Sequence, residues 1–388
     1  MTQNQSSNNI KVILPILFGF FIMGFADVVG IATNYIKVDF NLSDTLANLL
    51  PMMVFLWFAI FSIPTGILMG KIGRRNTVII SLIITAIAML LPPFIYNFYS
   101  ILLAFALLGI GNTILQVSLN PMIAYVVNPS KMVSVLTLGQ FIKAISSFLG
   151  PIIAGFAASF WGDWKWIFFV YSITSLLAIL WLAVSIRGKE EQMKVNTTFL
   201  STISLFKDKY IIALFGGILC IVGVDVGLNT SIPKLLMEKT AIPLNEAGLG
   251  TSLYFAARTI GTLIGAILLS KYAATRILQY TMIIAIVAFV TLLFVDIFWL
   301  MLVLVAIIGL MCANVFSILY SFALQRQPEQ TNEISALMIM GISGGALFTP
   351  IMGVLSDRFG QTSSLIVLIL CLIYIGIISL IKFQPKGN

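Results

Sequence analysis

Four charged side chains stand inside otherwise apolar runs of this sequence: Asp27, Lys143, Asp225 and Arg258. An ion at the centre of a membrane-spanning helix costs about 2.5–3.5 kcal/mol even on the mildest scale, so each must serve a purpose. A buried carboxylate can trade a cationic partner for a proton, because neutralising it removes the cost of moving the charge. Asp27 is the first candidate for such proton coupling and Asp225 the second. Lys143 and Arg258 can attract an anionic group or act as counter-ions. Asp27 with Lys143 is the natural pair, since both fall in one half of the chain. The alternative is that the four form buried salt bridges that only pin helices together.

Amides accompany these ions. Gln116, Asn120, Gln140 and Asn314 are the main candidates for solute binding, joined by Asn34, Asn48, Asn112, Asn229 and Ser317. Each amide both donates and accepts, which suits a ligand rich in hydroxyls. Each can equally hydrogen-bond between helices. Phe55, Trp57 and Tyr254 can offer an apolar face to a sugar ring, or simply pack. The chain contains no histidine. That excludes Ser-His and Cys-His nucleophilic catalysis and removes the usual pH-switch residue. Cys220, Cys312 and Cys371 lie in apolar stretches without pairing or metal spacing, so no metal or other cofactor is expected. Nothing resembles a phosphate-binding loop. These features describe a protein that binds a small solute and is not an enzyme.

The elements that must hold these residues are transmembrane helices. Of 388 residues, 60% are hydrophobic and 9% charged. Soluble domains carry roughly 25% charged residues, so lipid must be the solvent for most of this surface. At about 30 residues per span and loop, the length holds about twelve spans. The apolar runs predict them at 10–36, 45–70, 76–96, 99–127, 131–159 and 166–187, then 210–237, 246–270, 276–295, 297–324, 333–356 and 362–382. The first run is too long for the core of a signal peptide and reads as a retained helix 1. The longest polar stretch separates six spans from six. The expected organisation is therefore an N-terminal half (1–187), a cytoplasmic linker (188–209) and a C-terminal half (210–388). At about 1.5 Å per residue, Asp27 and Asp225 both lie roughly 24 Å from the start of their helices, near or just beyond the midplane.

Basic residues orient the bundle. Fifteen of the 22 Lys and Arg fall on the tails and even-numbered loops and five on the odd-numbered loops. The positive-inside rule then puts both termini in the cytoplasm of an inner or plasma membrane. The same scatter gives no single basic face for nucleic acid. The halves also echo one another, since Asp27, Thr33 and Lys37 in helix 1 correspond to Asp225, Thr230 and Lys234 in helix 7 with a one-residue shift. Small-xxx-small spacings at Gly66–Gly70 and Gly261–Gly265 predict close helix approach. Gly150-Pro151 and Pro350 predict bends in helices 5 and 11.

Several stretches together resemble the major facilitator superfamily, in particular its fucose/glucose/galactose permease branch. Gly66, Gly70, Lys71, Gly73, Arg74 and Arg75 follow helix 2 in a pattern similar to the superfamily's G-xxx-D-[RK]-x-G-[RK] loop, with Gly70 in the acidic position. Helix 4 runs from Gly109 and Gly111 through Gln116 to Asn120-Pro121, with Gln116 where the branch has Glu. Gln140 leading to Gly150-Pro151, Arg258 with Gly261, and Asn314 with Ser317 fit the branch. So does the stretch from Met340 through Gly344-Gly345 to Pro350, Gly353 and Asp357. The resemblance implies two parallel six-helix halves with a solute site between them near the midplane, gated in part by the loop at Gly66, Lys71, Gly73, Arg74 and Arg75. It implies proton-coupled import of a sugar or similar small polar solute by a monomer, with sodium as the alternative ion. An exporter of drugs or metabolites on the same fold, or an importer of an anionic sugar derivative, is the competing expectation.

Overall fold

The computed structural model describes residues 10–126, 129–185, 199–326 and 330–381. Among these residues every regular element is helical. Twelve helices are long and apolar enough to cross a membrane. Helices 1–6 are Ile13–Asp39, Asp44–Met69, Arg74–Phe94, Phe98–Leu119, Leu138–Phe160 and Trp166–Ser185. Helices 7–12 are Lys209–Thr240, Leu244–Leu269, Ala274–Phe294, Phe298–Ala323, Ala336–Phe359 and Gln361–Ser379. The expected all-α membrane fold of two six-helix halves is the one observed. Helix 1 starts at what is called here the termini end; the connection between helices 1 and 2 lies at the opposite, outer end.

Single glycines set two of the sharpest corners. Gly73 (φ 84°) separates helix 2 from helix 3, and Gly360 (φ 85°) separates helix 11 from helix 12. Glycine enters this left-handed region without the Cβ clash other residues suffer. Four spans are interrupted: helix 1 by a 3-10 stretch at Gly24–Val28, helix 2 at Asn48, helix 11 by a 3-10 stretch at Gly341–Ser343, and helix 10 between Cys312 and Val315. Pro151 lies inside an uninterrupted helix, Pro129–Phe160, and the break in helix 11 precedes Pro350. Within hydrocarbon every carbonyl released by a break must find another donor, so these breaks recruit side chains from neighbouring helices.

Two apolar cores fill the bundle. One is built from helices 1–6 with Val226 and Ala346 joining it; the other comes from residues 205–378. Between the halves, helix 1 packs on helix 7, helix 2 on helix 11 and helix 5 on helix 8. The Gly261–Gly265 expectation fits the packing. A Cβ on Gly261 would stand 2.7 Å from the Leu310 carbonyl oxygen, and one on Gly265 would collide with the Asn314 amide. The Gly66 expectation fails, because no atom lies within 4 Å of where its Cβ would be. The linker also departs from a plain polar tether. Residues 186–198 lie outside the described residues, but Phe199–Ser204 forms a short helix. Asp208 then caps helix 7, accepting from the Tyr210 N–H at 2.9 Å.

Candidate functional site

The interruption in helix 1 organises the centre of the molecule. The Met23 carbonyl accepts from Asn112 Nδ2 of helix 4 at 2.8 Å, and Asn112 Oδ1 accepts from Gln116 Nε2 at 2.7 Å. The Asp27 carbonyl accepts from Asn229 Nδ2 of helix 7 at 2.5 Å. A Cβ on Gly24 would be 2.6 Å from Ser146 Cβ and 2.7 Å from the Lys143 carbonyl oxygen, so the break lies directly on helix 5. There Ser147 Oγ donates to Asp27 Oδ2 at 2.5 Å. The Asp27–Lys143 salt bridge, the alternative left open by the sequence, does not form among the described residues. The hydroxyl one turn further along helix 5 takes the place beside the carboxylate.

Asp225 is held differently. Its Oδ2 is 2.7 Å from Arg258 Nη2, and its Oδ1 accepts from Tyr254 OH at 2.5 Å. Tyr254 and Arg258 are four residues apart, hence on one face of helix 8. Asp225 therefore has its counter-ion within its own half. Tyr254 is fully buried, so its ring offers no face to a solute. That leaves Lys143 half-buried, with no ion pair among the described residues, in the combined field of Asp27, Asp225 and Arg258.

The remaining candidates divide. Gln140 is exposed and Gln116 half-buried. The Asn120 side chain falls outside the described residues. Asn314 Nδ2 donates to the Gly261 carbonyl at 2.8 Å, holding the break in helix 10 against helix 8. Asn34 Nδ2 bonds the carbonyls of Gly30 (3.0 Å) and Thr230 (3.2 Å), and Asn48 Nδ2 that of Asp44 (2.8 Å). Most of the buried asparagines thus serve broken or crossing helices. In the loop after helix 2, Lys71 is exposed and Arg75 Nη2 donates to the Ala183 carbonyl of helix 6 at 2.9 Å. Gly73 makes the corner and Arg74 is half-buried beside it.

A second cluster, missed by the sequence reading, lies at the outer end. Asp44 starts helix 2. Its Oδ1 is 2.7 Å from Lys37 Nζ of helix 1 and 2.6 Å from Lys234 Nζ of helix 7. Its Oδ2 accepts from Ser356 Oγ of helix 11 at 2.5 Å. The Asp357 carboxylate accepts from the Asp44 and Thr45 N–H groups at 2.6 and 2.7 Å. A Cβ on Gly353 would stand 2.8 Å from the Asp44 carbonyl oxygen. A signal existed in the sequence. Gly353, Asp357, Arg358 and Gly360 repeat the spacing of Gly66, Gly70, Lys71 and Gly73, with the aspartate present. Further bonds cross the halves between this cluster and Asp27: Asn245 Nδ2 to Ser159 Oγ at 3.3 Å and Ser252 Oγ to the Phe148 carbonyl at 3.1 Å, besides those of Asn34 and Asn229.

Two broken-helix halves meeting at a charged centre are matched by one family model. The model of the Major Facilitator Superfamily covers residues 16–348 and, in a second match, 215–387. The chain belongs to the Major Facilitator Superfamily. A superfamily relative, the glucose/galactose transporter of Brucella abortus biovar 1 (strain 9-941), is 25% identical over 98% of this chain and 96% of its own length. The crystal structure of a variant of the E. coli fucose:proton symporter, FucP, is 18% identical, with a TM-score of 0.68, covering 95% of this chain and 97% of that one. A bacterial homolog to the human lysosomal transporter Spinster, solved in an inward-facing and occupied conformation, shares 16% identity with a TM-score of 0.77 over 95% and 94% of the two chains. The superfamily fold and the twelve apolar helices make this a multi-pass membrane protein.

Proposed function

We propose that this chain is a proton-coupled symporter carrying a sugar or similar small polar solute by alternating access between its two halves, residues 1–187 and 210–388. The observation that carries the reading is the contrast between the two buried carboxylates. Asp225 is locked to Arg258 at 2.7 Å, whereas among the described residues Asp27 faces a serine hydroxyl, with Lys143 in its field and outside any ion pair. Only the second arrangement leaves a carboxylate able to exchange a proton for an ammonium as the halves move. Asp27 is thus the coupling site, and Gln116, Gln140 and Lys143 are the groups nearest to hand for the solute. The solute class follows the name of the glucose/galactose transporter that matches the full chain.

The bias of basic residues places both termini in the cytoplasm. The Asp44 cluster then closes the extracellular side in this conformation. One chain completes the unit, and no cofactor is needed. The unpaired Lys143 also favours a second reading, in which the solute is an anionic sugar derivative.

The test is uptake of labelled glucose, galactose, fucose and a sugar acid into proteoliposomes, with and without an inward proton gradient, for wild type and Asp27→Asn. The proposal expects gradient-driven accumulation of a neutral sugar that becomes exchange-only in the variant. Accumulation of the sugar acid alone supports the second reading. Unchanged accumulation in Asp27→Asn removes Asp27 from coupling.

A further inference from the structure

The segment that enters the C-terminal half carries its own binding surface. The short helix Phe199–Ser204 packs on Thr331–Met340, the stretch that opens helix 11, with Thr202 and Leu205 buried. Its other side is apolar and bare: Phe199 is 56%, Leu200 82% and Ile203 41% exposed. An apolar face of this kind beside a membrane-spanning helix lies in the headgroup–acyl boundary rather than in water. Next to it a cavity of about 560 Å³ opens between this segment, the start of helix 7 and the end of helix 10. Ser204, Lys207, Lys209, Tyr210, Arg326 and Gln330 line it.

Among the described residues that line it, the charge is unbalanced. Asp208, the acid of this wall, accepts from Arg326 Nε at 2.9 Å through Oδ2 and from the Tyr210 N–H at 2.9 Å through Oδ1. The Arg326 guanidinium also lies 4.5 Å over the Tyr210 ring, fixing that side of the cavity. Among the described lining residues, Lys207 and Lys209, both exposed, are therefore cations in excess of the acid. The Gln330 amide stands beside them as a further donor, whereas the Ser204 hydroxyl donates to the Ser201 carbonyl at 2.7 Å.

We propose that this cavity binds the phosphate of an anionic phospholipid headgroup, with an acyl chain lying along Phe199, Leu200 and Ile203. The two lysines neutralise the phosphate, and the bare apolar face is what selects a lipid over a free anion. Basic pockets at membrane-spanning helix ends recognise anionic headgroups by this combination.

The test is native mass spectrometry of the full-length protein in detergent with equal amounts of dioleoyl phosphatidylglycerol and dioleoyl phosphatidylcholine. The expected result is preferential retention of phosphatidylglycerol. Retention falls roughly thirtyfold in a Lys207→Gln/Lys209→Gln double variant, about fivefold for each lysine. It falls also in Leu200→Ser, and millimolar inorganic phosphate does not displace the lipid. Equal retention of the two lipids, or an unaffected double variant, overturns the proposal. Displacement by inorganic phosphate together with an unaffected Leu200→Ser assigns the cavity to a free anion and overturns the lipid reading.

Discussion

The carboxylate of Asp357, at the end of helix 11, caps the start of helix 2 at Asp44, accepting from its N–H at 2.6 Å and from that of Thr45 at 2.7 Å. A carboxylate at a helix N-terminus satisfies orphan donors and complements the positive end of the dipole. Here donor and acceptor belong to different halves, so the cap holds only while the outer end is closed. Asp357→Ala is expected to shift the equilibrium toward the outward-open state by about 1–2 kcal/mol, or roughly five- to thirtyfold. Spin labels at Asn41 and Ala241, in the two outer connections, report this as growth of the longer-distance population.

Asp44 is the shared acceptor of both lysines. Lys234 is the more enclosed, with 11% of its side chain exposed against 32% for Lys37. Exposed pairs contribute under about 1 kcal/mol and enclosed ones more. Lys234→Ala is therefore expected to reduce transport and thermal stability more than Lys37→Ala, and Asp44→Asn more than either. Melting temperature in detergent and initial uptake rates rank the three variants.

Asp225→Asn leaves Arg258 without its counter-ion, which costs about 3 kcal/mol for an enclosed pair. The double variant Asp225→Asn/Arg258→Gln is expected to recover much of that loss. A double-mutant cycle on thermal unfolding measures the coupling. Strict additivity means that the pair does not anchor helix 7 to helix 8.

Gly353 and Gly66 occupy equivalent places in the repeated loop spacing but have unlike surroundings. Gly353→Ala puts a methyl group 2.8 Å from the Asp44 carbonyl oxygen, and helix 11 must withdraw. The expected cost is about 1–3 kcal/mol, lost from the outer-closed state. Gly66→Ala meets open space and is expected to leave the stability of this state unchanged, while slowing the opposite state if helix 2 must close there. Melting curves and accessibility labelling at each end separate the two variants.

The sequence was informative about what lies along one helix and poor about what meets across helices. Twelve spans, two halves and the four intramembrane ions follow from apolar runs and the cost of burying charge. The rotation of each helix about its axis does not. Depth alone could not tell that Ser147 rather than Lys143 faces Asp27, or that Asp225 meets Arg258. The Asp44–Lys234 pair spans 190 residues of sequence, and Lys37 and Lys234 read only as counterparts in the repeat, with no acid assigned to them. The repeated glycine–aspartate spacing at Gly353–Gly360 was legible, but only the close approach to Asp44 shows what it does. Gly66 was misjudged because small-residue spacing signals that a helix can be approached, not that it is approached in a given state.

The outer cluster has an electrical consequence. The N-terminal half brings Lys37 and Asp44 to it, and the C-terminal half brings Lys234 and Asp357. Each half contributes one positive and one negative charge, so its four ionised groups part as two neutral surfaces. A unit charge crossing the membrane potential feels about 2.3 kcal/mol per 100 mV, but these four groups add no net charge to either surface. Breaking this cluster is therefore expected to be insensitive to membrane voltage. On the proposed cycle, voltage dependence is then expected to enter through the central groups, where Asp27 and Lys143 can change the net charge that travels.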